Sequence, residues 1–298
     1  MSDMPGCPVC EGTEYETLFP CRDFLVSGEE FPVVRCRKCG LIKTDTPPPE
    51  DKIGSYYQSE DYISHSDTKK GLTDILYHTA RNFMLKKKFR LISRISGLKT
   101  GFLLDIGSGT GYFPAFMAKK GWNVKGIEIS DQARNYSVSK FGLEILSPED
   151  EPRLTDSSFD SVTLWHVMEH LNDLSYWLGV INRVLKNDGL CVVALPNASS
   201  YDAEWFGKFW AAYDVPRHLW HFSPLTFKSL VEKNGFTIIK MKGMPLDVFY
   251  ISILSYRHMK LHLPFARGIL TGLVLSIKNL RNKDRYSSMV YVLKKHHV

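Results

Sequence analysis

Three sets of residues in this chain have the types and spacing for chemistry. Four cysteines form matched pairs, Cys7-Pro-Val-Cys10 and Cys36-Arg-Lys-Cys39, with twenty-five residues between the pairs. Each CxxC turn can aim two sulfurs at one ion, so Cys7, Cys10, Cys36 and Cys39 suit a closed tetrahedral zinc site that is structural and not catalytic. A second set, residues 102–111 (FLLDIGSGTG), runs from an apolar stretch through Asp105 into glycines at 107, 109 and 111. Three glycines at alternate positions leave no Cβ where a backbone turns sharply and approaches a ligand. The third set is Trp165-His-Val-Met-Glu-His-Leu171, with His218 and His221 downstream. Imidazoles exchange protons near neutral pH, and a spacing of three at a helix start puts His166 and Glu169 on one face.

The elements around these sets define where they lie. Residues 102–104 read as a buried strand and 112–119 as the helix that follows it, ending at Gly121. A second strand over 122–129 ends near Glu128, seventeen residues beyond Gly111, where a carboxylate can accept from both ribose hydroxyls of a bound nucleoside. A carboxylate at Asp105 would repel a pyrophosphate and attract an ammonium, so the cofactor is expected to carry a positive amine. Further along, the pattern predicts a helix over 131–141, a short strand over 143–146, an acidic loop over 148–156 and a central strand over 159–165. The HVMEH segment then sits at the carboxyl end of that strand, opening a helix expected to run to residue 185, and residues 190–195 form the next strand.

The glycine turn with Asp105 and Glu128 resembles motif I of the class I S-adenosylmethionine (SAM) methyltransferases. HVMEHL followed by PRHLWHFSPLTF resembles their ubiquinone-biosynthesis-type small-molecule group, over residues 100–240. The resemblance implies an α/β, doubly wound, mostly parallel seven-stranded Rossmann-like sheet. It implies SAM as cofactor, surrounded by Asp105, Gly107, Ser108, Gly109, Gly111, Glu128, Ile129 and Trp165. The sulfonium is already a strong electrophile, so the protein must align the acceptor and remove its proton. His166, His170 and His221 are the candidate catalytic residues, with His218 also in reach and His166 expected to be the base.

Some members of that type hold a divalent cation with E-x-x-E-H and a later histidine. Here His166 replaces the first glutamate, leaving two or three imidazoles and one carboxylate, a set suited to a transition metal and poor for magnesium. The plainer expectation is that Glu169 and His170 tie the helix start to neighbouring loops.

Three regions follow: a zinc ribbon over 1–46, a linker with N-terminal cap helices over 47–100, and a methyltransferase domain over 101–298. Thr46-Pro-Pro-Pro-Glu50 is the stiff boundary. Tyr62 and His65 could reach the cofactor or pack, and Lys86-Lys87-Lys88 reads as a solvated helix face. The aromatics at 205, 206, 209, 210 and 213 suggest a wall over the acceptor or a small subcore. Residues 236–241 and 289–293 read as the last two strands. A helical insertion between them, 246–285, is expected to close the substrate pocket or form a homodimer face in preference to touching a membrane.

With 44% hydrophobic and 23% charged residues the 298-residue chain has an ordinary globular composition. Its start lacks the charged and apolar parts of a secretory signal and its longest apolar run is too short to span a bilayer, so a cytoplasmic location is expected. The net charge of +6 permits an acidic partner without demanding one, and nucleic acid is not favoured. The expected function is methyl transfer from SAM to a small-molecule acceptor, with a sugar or polysaccharide precursor as a candidate. The alternatives are an RNA or protein methyltransferase recruited through the ribbon, and a SAM-binding protein without catalysis.

Overall fold

A computed structural model of the chain describes residues 6–57 and 72–296, with the side chains of 50, 51 and 72–80 outside that description. Tyr62 and His65 lie outside the described residues. Two sheets organise the molecule. The larger has seven strands: β4 (Phe102–Ile106), β5 (Asn123–Ile127), β6 (Glu144–Leu146), β7 (Phe159–Trp165), β8 (Leu185–Pro196), β10 (Phe236–Gly243) and β11 (Ser288–Lys295), in the spatial order β10-β11-β8-β7-β4-β5-β6. Its β8-β7-β4-β5-β6 stretch is parallel, and β11 runs antiparallel between β10 and β8. This is the doubly wound sheet the sequence predicted. Its central strands are apolar in nearly continuous runs because helices cover both faces.

Besides a single turn at Glu50–Ile53, the helices among the described residues are α1 (Leu72–Ser96), α2 (Tyr112–Lys119), α3 (Asp131–Phe141), α4 (Leu174–Val184), α5 (Tyr201–Phe206), α6 (Pro224–Lys233), α7 (Asp247–His258) and α8 (Pro264–Arg281). Their ends follow local chemistry. Ser130 accepts from the Ala133 amide to start α3, and Ser223 with Thr226 closes a capping box ahead of Pro224 in α6. One predicted helix differs. Residues 168–170 make a single 3₁₀ turn, and α4 begins only at Leu174, because the Asp173 carboxylate caps the Tyr176 amide. The sequence pattern ends that helix at Asn187-Asp-Gly189, but these residues lie inside β8 where its register against β7 shifts.

The smaller sheet is antiparallel, formed by β1 (Tyr15–Arg22), β2 (Glu30–Cys36), β3 (Ile42–Thr44) and β9 (Trp220–His221). Its fourth strand comes from the far side of the chain: Ile42 pairs with His221 and Lys43 with Trp220. The cores merge as well. Cys7, Val9, Cys36 and Leu41 share a buried cluster with Phe222, Phe227 and Leu230. Phe31, Val33 and Ile42 share another with Phe206, Trp210 and Ile251. The N-terminal ribbon is therefore continuous with the larger domain in both hydrogen bonding and packing.

Candidate functional site

β4 ends at a turn that only glycine fits. Gly107 has φ +71°, and a Cβ there would come within 2.3 Å of Val167, the residue after His166. The turn thus presses directly on the HVMEH segment. Opposite, Glu128 accepts from the Gly109 amide at 2.7 Å and the Ser130 amide at 2.9 Å, which pins its carboxylate beside the turn with lone pairs to spare. Ser108 is buried against Gly126, Trp165 is half-buried, and Ile129 is 77% exposed on the rim.

Asp105 is buried on β4 and accepts from the Thr163 hydroxyl of β7. Burial pushes its pKa up to about 7, against the opposing pull of that hydrogen bond and of Lys88. Lys88 was expected on a solvated face; instead α1 turns it inward, its ammonium 4.2 Å from the Trp165 ring centroid and 5.3 Å from that of Phe113. Burial lowers its pKa to about 8, opposed by Asp105 and by Asp247 at the start of α7. Sequence reasoning missed both Lys88 and Asp247. The helical period could have separated Lys88 from Lys86 and Lys87, but nothing local marks Asp247.

His166 has a left-handed backbone, φ +59°, and its amide donates to Ala194 of β8 at 3.0 Å. Its Nδ1 lies 3.5 Å from Glu169 Oε1 and its Nε2 3.7 Å from Asp247 Oδ2. Burial lowers the imidazole pKa, but the two carboxylates outweigh it and the net shift is upward. Glu169 is 1% exposed, and neither of its carboxylate oxygens accepts a hydrogen bond. On its other side stand His170 and His218, each offering a ligand atom within 4.8 Å of the others and of Glu169.

Those two rings are oriented alike. His170 Nδ1 lies 3.0 Å from the Arg217 carbonyl and 3.1 Å from the Tyr57 hydroxyl, and His218 Nδ1 lies 2.8 Å from the Ala212 carbonyl. A carbonyl can only accept, so Nδ1 carries a proton in both rings, and His218 Nε2 lies 3.8 Å from Asp214 Oδ2. His221 is not brought to this cluster. It is buried in β9 with Nε2 3.1 Å from the Thr44 hydroxyl, and burial drives its pKa well down. Glu169, His170 and His218, with a ligand atom of each within 4.8 Å of the others, have the donor set that could hold a divalent transition metal.

The four ribbon cysteines also converge. Their sulfurs lie within 4.8 Å of one another, with Cys7–Cys39 and Cys10–Cys36 both at 3.5 Å. Zinc bonds of about 2.3 Å in a tetrahedron separate sulfurs by roughly 3.8 Å, so this cluster could hold zinc with little adjustment.

The aromatic stretch after β8 resolves into a subcore. Trp210 is buried and donates Nε1–H to Asp202 at 2.7 Å, and Tyr213 packs edge-on against Phe19 of the ribbon. Only Trp205 stays largely exposed. In the acidic loop, Glu151 turns inward to Arg183 and Tyr176, so its carboxylate braces α4.

Comparison with known proteins agrees with this geometry. A sequence model of the family described as "Methyltransferase domain" matches residues 78–241. The ubiquinone biosynthesis O-methyltransferase of Pelagibacter ubique is 28% identical over 181 residues, 54% of this chain and 72% of that one. The enzyme of the same name from Paramagnetospirillum magneticum is 28% identical over 158 residues, 49% of this chain and 63% of its own length. Among solved structures, a putative sarcosine dimethylglycine methyltransferase from Galdieria sulphuraria superposes with a TM-score of 0.51 at 14% identity, covering 72% of this chain and 86% of that one. That likeness is one of fold. With the family sequence covering more than half of the chain, and the seven-stranded sheet and glycine turn in place, the chain belongs to the class I SAM-dependent methyltransferases.

Proposed function

We propose that the chain methylates an oxygen of a small-molecule acceptor, with the HVMEH segment removing the acceptor's proton. The observation that carries this is Glu169, a buried carboxylate 3.5 Å from His166 Nδ1 and clustered with His170 and His218. The relatives named as O-methyltransferases favour oxygen as the acceptor atom.

In this reading Asp105 takes the ammonium of SAM, Lys88 its carboxylate and Glu128 its ribose hydroxyls. Each group then meets its opposite charge or donor in a site largely screened from water. Glu169 holds His166 by Nδ1, which leaves Nε2 to accept the acceptor's proton, and Asp247 stabilises the imidazolium that results. The methyl group passes to the oxygen as its proton leaves, and the thioether of SAM departs without assistance. Cys7, Cys10, Cys36 and Cys39 would hold a structural zinc.

A second reading rests on the orientation of His170 and His218. Glu169 with one ring nitrogen each of His170 and His218 would hold a divalent transition metal, whose positive charge would lower the pKa of an acceptor hydroxyl. Incubation with labelled SAM and a fractionated extract identifies the acceptor, and absence of label in any fraction despite SAM binding overturns methyl transfer. His166→Gln and His218→Gln then separate the two proton-removal schemes. A base at His166 predicts a loss of turnover of about 100-fold in the first variant. A metal predicts one bound ion beyond the ribbon zinc in the wild type, lost in the second variant.

A further inference from the structure

The helical pair inserted between β10 and β11 is two-faced. Gly268 and Gly272 bring α8 so close to α7 that a Cβ at either would approach Ile253 or Phe249 to 2.4 Å. Thr271, Leu275 and Asn279 are buried on the same face. That side of α8 is committed to α7, which in turn carries Asp247 to His166.

The opposite side faces solvent and is apolar. Leu270, Leu273, Val274, Ile277 and Leu280 recur at helical spacing and are 43% to 69% exposed; Phe265 at the helix start is 67% exposed. The outer stripe of a helix on a globular protein is ordinarily polar, and a run of this size marks an interaction site.

Charge selects the occupant. From Arg257 to Lys283 the chain carries six lysines and arginines and no aspartate or glutamate. On the helical wheel Arg267 and Lys278 fall along one edge of the apolar stripe, and Arg281 falls at its end. A second copy of this chain docked two-fold on the face would bring these cations together with no acid on α8 itself to offset them. An anionic lipid surface meets both features, taking the leucines among acyl chains and the cations among headgroups. No helix among the described residues is long and apolar enough to cross a membrane, so this one would lie on the surface.

We propose that α8 is the docking surface of this protein for an anionic lipid bilayer, which seats the SAM site one helix away from the membrane. The proposal stands apart from the identity of the methyl acceptor.

The full-length protein is sedimented with vesicles of phosphatidylcholine alone and of phosphatidylcholine with phosphatidylglycerol. The expected result is binding to the second kind, weakened by salt and by Arg267→Gln with Arg281→Gln. Leu270→Glu with Ile277→Glu should lower the bound fraction at least about tenfold at unchanged melting temperature, because a charged stripe cannot enter the headgroup boundary. If the glutamate variant unfolds, the arginine variant decides. Equal affinity for both vesicle types, or no binding to either, overturns the proposal. So does a wild-type dimer that the glutamate pair converts to monomer, which would assign the face to a second copy.

Discussion

At the scale of single residues, the role proposed for Asp105 would tie the cofactor to pH. Its carboxyl is protonated below a pKa raised by burial to about 7, whereas an ammonium ligand needs the carboxylate. SAM affinity is therefore expected to fall about tenfold per pH unit below that point and to level off above it. The linkage sign runs the same way. A raised carboxyl pKa favours the ligand-free fold below its unfolded value near about 4, and that contribution is lost as pH climbs through about 7. SAM should accordingly raise the melting temperature more at pH 8 than at pH 6. Asp105→Asn should weaken SAM by about 10- to 100-fold at pH 8 and remove the pH dependence in calorimetric titrations. An unchanged pH profile in the variant would place the titrating group elsewhere. Lys88→Met should weaken SAM less, since it removes an attraction and leaves the turn, Glu128 and Asp105 intact.

At the scale of elements, the loop between α5 and β9 is held in place by the ribbon. Arg217 is 1% exposed; its guanidinium pairs with Asp23 of the ribbon at 2.8 Å and Asp214 at 2.7 Å, and donates to the Tyr56 carbonyl. Its own carbonyl is the partner of His170. Removing one member of a buried ion pair strands the others, so Arg217→Met should cost about 3–5 kcal/mol in denaturant unfolding. Thr44 of β3 donates its hydroxyl to the His218 carbonyl at 2.6 Å and lies against His221. Thr44→Val keeps the shape and drops those bonds, so it should cost about 1–3 kcal/mol and also slow turnover by displacing His218. A stable, fully active Thr44→Val would show that the ribbon does not position the loop. These contacts explain what the sequence could and could not disclose. The glycine turn, Glu128 and the paired cysteines are legible because their chemistry is local, set by spacings of a few residues or one strand-helix-strand unit. Arg217 reads as one more surface cation, and β9 has only two residues, because their partners lie on a ribbon nearly two hundred positions earlier. The aromatic stretch at 205–213 could not be divided between wall and subcore for the same reason. What it packs against is Phe31, Val33 and Ile42.

At the scale of the whole molecule, the shared sheet and the merged cores make the ribbon a structural part of the enzyme. A separately folded ribbon would melt by itself when its metal is withdrawn, with the larger domain untouched. With zinc held as proposed, its withdrawal would reach further: Cys7 and Cys36 sit in the cluster that holds Phe222, Phe227 and Leu230, and β3 supplies the edge on which β9 is laid. Structural zinc in small domains carries on the order of 10 kcal/mol of folding free energy, comparable with the total stability of a domain. Chelation, or Cys36→Ser with Cys39→Ser, is therefore expected to move a single calorimetric transition down by many degrees and to lose SAM-dependent turnover along with it. Added zinc should restore both in the chelated wild type but not in the double serine variant. Two resolved transitions, the upper one unchanged by chelator and still stabilised by SAM, would mean that ribbon and enzyme are thermodynamically independent. A chain cut to begin after residue 46 makes the same point by another route. It would leave Phe206, Trp210 and Ile251 uncovered and His221 without Thr44, so it should be recovered aggregated, whereas an independent catalytic domain would stay monomeric and bind SAM.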